Sequence, residues 1–347
     1  MSNRLLARRP SHTIAGQIEQ FFSSSGRFWC VLLLLAAFSL GATQVYAQGA
    51  ANWPSKPLKV IVPYPPGAAT DTITRIMMEK LAQRLAQTII VENKGGANSA
   101  VGTAYVARAE PDGYTLLSVL AAYAVNPHLH KMAYQPEDLI PISKLADLPN
   151  FLFVSNRIPA NTLDELLEYG RRNPGKLNYA SSGTGSSAHM LGASLSQRSG
   201  IPMQHVPYKG SALVLTDILS GEVAFVFSSM VVFMPHVKEG RLKAIAISSP
   251  QRWPTEPNTP TMEEAGFPGF NMVSWAGLMA PKGTPSAIVE RLAREIAVVV
   301  KDPEVRERLM KGGLVPESSS PEEFAALIAR DSAMYGEIIR AGKISAD

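Results

Sequence analysis

From residue 58 onward, short β-branched runs alternate with stretches in which apolar residues recur every three or four positions. Lys59-Val60-Ile61-Val62 predicts a first strand. Ile73, Ile76, Met77, Leu81 and Leu85 then share one face of a helix over 71–87. The same alternation predicts strands at 89–91 and 114–118 with a helix over 98–109 between them. Further on it predicts strands at 177–179, 204–206, 224–227 and 244–247, separated by helices near 187–197 and 211–220. Strands that alternate with helices in this way build an α/β fold with a mostly parallel sheet.

Helix boundaries are written in capping residues. Thr162 and Glu165 stand as N-cap and N3 of a helix that must stop before Pro174-Gly175, and Gly221 follows the helix over 211–220 as a left-handed stop. Thr284-Pro285, Asp302-Pro303 and Ser320-Pro321 each place a capping residue before a proline, and Ser320 with Glu323 forms a second capping box. The runs 148–154 and 273–278 follow the two αβ series and read as crossings between lobes. One lobe is then expected over 52–150 plus 275–347, and the other over 151–274.

The amino end departs from this pattern. Arg4, Arg8, Arg9 and Arg27 precede an apolar run over 28–40, and Val45-Tyr46-Ala47 offers small residues for cleavage before Gln48. Residues 1–47 therefore read as an export leader cleaved near Ala47, which places the mature chain in the periplasm. The run is shorter than the roughly 20 residues of a spanning helix. Removing four arginines and Glu19 from totals of 33 basic and 29 acidic residues leaves a net charge of about +1. That balance excludes the clustered basic excess of a nucleic-acid binder. The only cysteine of the 347 residues, Cys30, lies in the leader, so the mature chain has neither a disulfide nor a thiolate site.

Several strings occur in a telling order: Val62-Pro63-Tyr64-Pro65-Pro66-Gly67-Ala68-Ala69-Thr70-Asp71, Pro111-Asp112-Gly113-Tyr114-Thr115-Leu116, Leu177-Asn178-Tyr179-Ala180-Ser181-Ser182-Gly183, His205-Val206-Pro207-Tyr208-Lys209-Gly210 and Ser274-Trp275-Ala276-Gly277-Leu278. With them the chain resembles the receptor proteins of tripartite tricarboxylate transporters, the Bug family, over nearly all of its mature length. The resemblance implies a type II-like periplasmic binding protein fold, two lobes that close like a flytrap. It also implies a carboxylated solute, delivery to the membrane components of a tripartite transporter, and no catalysis. Many relatives carry an acid after the strand that here ends at Phe227. This chain has Ser228-Ser229 instead, which argues against an ammonium-bearing ligand.

The residues suggest how an acid would be held. The turn over 64–71 and the turn over 181–187 each join a strand to a helix start, where unpaired N–H groups and the helix dipole favour an anion. Neither turn contains Arg or Lys. Ligand contacts are therefore expected from Tyr64, Gly67, Ala68, Ala69, Thr70 and Asp71 in the first lobe, with Ala121 and Tyr123 after the third strand. From the second lobe they are expected from Ser181, Ser182, Gly183, Thr184, Gly185, Ser186 and Ser187, with Tyr208 and Ser228. Asp71 is expected to cap N–H groups or hold a bridging water, and to contact a ligand hydroxyl or amine.

Other chemistries find less support. Gly183-Thr184-Gly185-Ser186-Ser187-Ala188 fits a dinucleotide turn, but no acid follows until Asp217, where a ribose partner should come about 20 residues on. Serines accompany His189 without the G-x-S-x-G elbow of a hydrolase. His128 and His130 lack further metal ligands nearby. A soluble, monomeric receptor without cofactor or metal is expected. The alternative partner is a sensor-kinase ectodomain, which the same closed lobes would serve.

Overall fold

The computed structural model describes residues 52–96 and 99–345. The leader expected over 1–47, with Cys30 and the cleavage point at Ala47, lies outside the described residues.

The chain enters through β1 (Leu58–Val62), α1 (Ala69–Leu85), β2 (Ile89–Asn93), α2 (Ala100–Ala107), β3 (Thr115–Leu120), α3 (Ala122–Leu129) and β4 (Leu139–Leu148). It continues through β5 (Phe151–Ser155), α4 (Leu163–Arg172), β6 (Asn178–Ser181), α5 (Ser187–Ser199), β7 (Gln204–Pro207), α6 (Ser211–Ser220), β8 (Phe225–Ser228), α7 (Met230–Lys238) and β9 (Leu242–Ile247). It ends with β10 (Ser274–Pro281), α8 (Ser286–Val299), α9 (Pro303–Lys311), β11 (Val315–Pro316) and α10 (Pro321–Gly342).

These strands form two sheets, ordered β11-β4-β10-β3-β1-β2 and β7-β6-β8-β5-β9. The fold is the expected two-lobed α/β type. Pairing within each sheet is mixed, where a mostly parallel sheet was expected. β1 pairs in parallel with β2 and β3, and β6 with β7 and β8. The remaining pairings, made by β4, β5 and β10, are antiparallel. The cause is the crossing itself. β4 leaves the first sheet and β5 enters the second with only Pro149 and Asn150 between them. β10 returns beside β4, Ser274 opposite Leu148. A strand that arrives from the other lobe has no crossover helix to reverse its direction, so it pairs antiparallel.

Helices on both faces bury the central strands completely. Every residue of β5 and of β10 is buried, as continuous apolar runs predict. The indole N–H of Trp275 on β10 donates to the buried Asp331 carboxylate at 2.8 Å and ties the returning strand to α10.

Most capping expectations hold. Ser320 and Glu323 make both halves of their box, and Asp302 accepts from the N–H groups of Glu304 and Val305 ahead of α9. Gly221 ends α6 in the left-handed region at φ +91°. Thr162 caps α4, but the Glu165 carboxylate accepts from the N–H of Asn161. Thr284 does not cap α8. Its hydroxyl turns back to the Pro281 carbonyl, and the helix starts at Ser286. Two helices were not foreseen, α3 and α7. Each contains a proline, Pro127 and Pro235, which reads as a break in sequence.

Candidate functional site

The β1–α1 turn starts its helix two residues earlier than the pattern of apolar residues implies. Ala68 stands at the N-cap with no side chain to offer, and Asp71, at N3, reaches back to accept from the Gly67 N–H at 2.9 Å. The Arg75 guanidinium closes on Asp71 at 3.0 Å, and Asn93 donates to it at 2.9 Å. Both carboxylate oxygens are therefore occupied. Burial raises the Asp71 pKa, but the hydrogen bonds from Arg75, Gly67 and Asn93 outweigh it and hold the carboxyl below its usual range. Asp71 thus caps an N–H group, as expected, and braces the loop. Thr70 is buried beside it, and its hydroxyl has no partner among the described residues. Burial pushes the Tyr64 phenol up to about 12, with Ser99 opposing.

The β6–α5 turn has a similar frame. Ser186 caps α5 by accepting from the His189 N–H at 3.3 Å. The Ser181 hydroxyl is committed to His205 Nε2 at 2.7 Å and to the backbone of Gly183. Gly183 and Gly185 supply the positive φ of the turn around Thr184. Gly185 N–H donates to Nδ1 of His189, whose ring stacks on His205.

Between the two frames lies a cavity of about 460 Å³, a volume typical of small-molecule sites. Of the expected residues, Gly67, Ala69, Ser182, Ser187 and Ser228 line it. The others do not. Ala121 is buried and donates to the Trp275 carbonyl. Tyr123 packs in the core against Tyr134 and donates to the Pro136 carbonyl at 2.8 Å. Tyr208 donates to Asp217, and burial followed by that carboxylate raises its pKa to about 12. Tyr64, Ala68, Thr70, Asp71, Ser181, Gly183, Thr184, Gly185 and Ser186 belong to the same two turns without being among the lining residues.

The sequence reading missed much of the wall. Thr72, Leu120, Leu148, Asn150, Phe227, Ser229, Val231, Val232, Ser211, Ser274, Gly312 and Leu314 also line the cavity. Asn150 and Ser274 lie on the crossings identified at 148–154 and 273–278, and that location was the one signal for them.

Four helices start at this cavity rather than two. Ala69, Ser187 and Ser211 are the first residues of α1, α5 and α6, and Ser229 is the N-cap of α7. Ala68, Gly210 and Ser229 make no side-chain cap bond, so first-turn N–H groups of three helices lack that acceptor. Each helix start carries roughly half a positive charge. Among the described residues, no charged side chain lines the cavity to neutralise them. Ser228 and Ser274 are 5% and 6% exposed, line the cavity, and make no side-chain hydrogen bond among the described residues. Such a site is built to accept an anion through N–H and hydroxyl donors. No cluster of metal-ligating side chains occurs among the described residues, and no described helix is long and apolar enough to cross a membrane.

Comparison with known proteins gives consistent matches. The family model described as the tripartite tricarboxylate transporter family receptor matches residues 73–344. Protein BugT of Bordetella pertussis is 32% identical over 89% of this chain and 96% of its own length. The solved structure of MatC from Rhodopseudomonas palustris with bound malate is 30% identical, with a TM-score of 0.69, over 83% of this chain and 100% of its own. A second R. palustris protein, solved with adipate, is 28% identical with a TM-score of 0.74, over 85% of this chain and 99% of its own.

Proposed function

The chain belongs to the tripartite tricarboxylate transporter receptor family, periplasmic solute-binding proteins rather than enzymes, and from that premise we propose that it captures a small carboxylate in the interlobe cavity. The observation that carries this reading is the convergence of four helix starts on one cavity that no charged side chain among the described residues lines. An anion placed there accepts from N–H groups that have no side-chain acceptor and sits at the positive ends of the dipoles. Hydrogen bonds to a charged group contribute about 1.5–3 kcal/mol each. Four or five of them total about 6–15 kcal/mol, the scale of micromolar affinity at about −8 kcal/mol, with burial of the ligand's apolar surface offsetting the costs of association. The solutes named for the related structures, malate and adipate, are acids of this kind.

The lobes in this reading comprise 52–150 plus 275–347 and 151–274. A ligand that touches α1 from one lobe and α5 to α7 from the other favours the closed state by its differential affinity. The closed receptor then delivers its solute to the membrane components of a tripartite transporter, after export and cleavage of the leader near Ala47.

Proline at N1 suits a helix start but lacks the N–H. The backbones of Ala68 and Ser186 already have the extended geometry that a following proline requires. Ala69→Pro with Ser187→Pro should therefore leave the ligand-free melting temperature in place. It should cut affinity at least a hundredfold for the acid found by native mass spectrometry of freshly purified protein. Unchanged affinity in that double variant would remove this cavity as the site.

A further inference from the structure

We infer that a second cavity, on the other face of the strands that cross between the sheets, is a binding site for a free amino acid with an apolar side chain. Neighbouring residues of the crossings face opposite ways. Leu148, Asn150 and Ser274 line the cavity between the helix starts, whereas Asp147, Pro149 and Val273 line a separate cavity of about 380 Å³. That volume lies in the range of small-molecule sites. Its other walls come from Arg306 and Met310, one turn apart on α9, from β11, where Val315 stands opposite Asp147, and from the segment 249–254 after β9.

This cavity carries charges of both signs that do not satisfy each other. Lys144 reaches the Asp147 carboxylate at 3.0 Å and that of Glu317 at 2.9 Å, so one ammonium serves two acids and one negative charge is left over. Burial and then Glu317 push the Asp147 carboxyl up, against Lys144, while Glu317 is held down, as when two carboxyls share a proton. Arg252 does not supply the missing cation, because its guanidinium is bound to Glu264 at 2.8 Å and to the Pro257 carbonyl at 2.9 Å. Arg306 lines the cavity and makes no ion pair or side-chain hydrogen bond among the described residues. The indole N–H of Trp253 makes no hydrogen bond among them either, although the residue is only 3% exposed. An acid pair short of one cation and a guanidinium without an anion thus face the same space.

A zwitterion completes both. Its ammonium takes the place of the shared proton at Asp147 and Glu317, and its carboxylate accepts from Arg306 and from the Trp253 N–H. Neither charge is then buried alone, whereas a ligand with a single charge leaves one end unpaired. The remaining lining, Pro149, Val273, Met310 and Val315 with the Trp253 ring, is apolar. Each ligand carbon buried against it improves binding about fourfold.

The test is calorimetric titration of the mature chain, dialysed free of bound metabolites, with leucine, phenylalanine, glycine, 3-methylbutylamine and 2-phenylethylamine. The tighter of leucine and phenylalanine should bind at least tenfold more strongly than glycine and than its own amine, which lacks the carboxylate. Arg306→Met should cut that affinity at least tenfold, and so should Asp147→Asn. Arg306 is exposed, so Arg306→Met should keep the parent's melting temperature. Ala69→Pro with Ser187→Pro, directed at the other cavity, should leave amino-acid affinity within twofold of the parent. An amino acid that binds the Arg306→Met protein as tightly as the parent, or that loses its affinity in the Ala69→Pro, Ser187→Pro protein, would sit elsewhere and overturn the inference. An amine as tight as its amino acid, or no binding of leucine and phenylalanine at millimolar concentration, would overturn it too. None of these outcomes bears on the carboxylate reading, which the acid affinity of the Ala69→Pro, Ser187→Pro protein decides separately.

Discussion

The imidazole of His189 lies flat on that of His205, ring centroids 3.6 Å apart and planes 10° from parallel. Tyr179 packs beside both rings, its centroid 5.1 Å from that of His205 and 6.2 Å from that of His189. The pair sits directly behind the β6–α5 turn, bonded to Gly185 and Ser181. Burial, reinforced for His189 by its neighbour, lowers the two pKa values to about 3 and about 4, from about 6.5 in the unfolded chain. Between those limits the unfolded state binds more protons than the folded one, so stability rises with pH. It should be complete above pH 6.5 and decline below it, by at most about 1.4 kcal/mol per histidine per pH unit, until about pH 4. Urea unfolding from pH 7.5 to 4.5 measures this slope. His189→Asn with His205→Gln should flatten it, and a slope equal to that of the parent would show that other groups cause it.

Arg75 neutralises Asp71 one turn inside α1, immediately behind the lining residues Gly67 and Ala69. Arg75→Gln leaves a buried carboxylate uncompensated beside the anion site. Affinity for a carboxylate ligand should fall about three- to tenfold, and less in high salt, because Arg75 is half exposed and its charge is screened. Asp71→Asn in the same chain removes the repelling charge and should restore most of the loss. A strictly additive double variant would mean that the two side chains act independently.

Gly277 on β10 is needed for space and not for backbone freedom. A Cβ there would lie 2.0 Å from Cζ of Phe324, a ring that also meets Trp275 edge-on. Gly277→Ala should destabilise the protein by about 1–3 kcal/mol through overpacking. Phe324→Leu should recover part of that when added to Gly277→Ala, although alone it leaves a cavity and destabilises. Chemical denaturation of the four proteins gives the coupling.

Much of the fold was legible because local chemistry announced it. Ser320, Glu323, Asp302 and Gly221 mark helix ends through hydrogen bonds that a few neighbouring residues complete by themselves. α3 and α7 were not legible, since Pro127 and Pro235 argue locally against a helix that tertiary packing nevertheless completes. For the cavity, a strand followed by a small-residue turn and a helix start pointed to Gly67, Ala69, Ser182 and Ser187. Ser181 and Ser186, named by the same reasoning, spend their hydroxyls on the turn's own backbone, on His205 and on a helix cap. Leu120, Ser274, Gly312 and Leu314 come together only through sheet register and the path of the crossing strands, which no local pattern encodes.

Gly313 and Met230 meet across the mouth of the cavity, one just before β11 and the other opening α7. Their neighbours Gly312, Leu314, Val231 and Val232 line it. Gly313 has φ +70°, and a Cβ there would lie 2.5 Å from Cγ of Met230. If binding draws the two sheets together, this contact limits how far they approach. Gly313→Ala brings two effects, a left-handed backbone strain of roughly 1–2 kcal/mol and a steric block. The strain is local and lowers the melting temperature whether or not ligand is present. The block grows as the sheets approach, so it should lower ligand affinity at least tenfold beyond the change in stability. Met230→Ala removes the atoms that collide and should restore affinity without restoring the melting temperature. Small-angle scattering should show the Gly313→Ala protein remaining open at ligand concentrations that compact the parent. Equal loss of affinity in Gly313→Ala with and without Met230→Ala would place the defect in backbone strain and take closure out of the explanation.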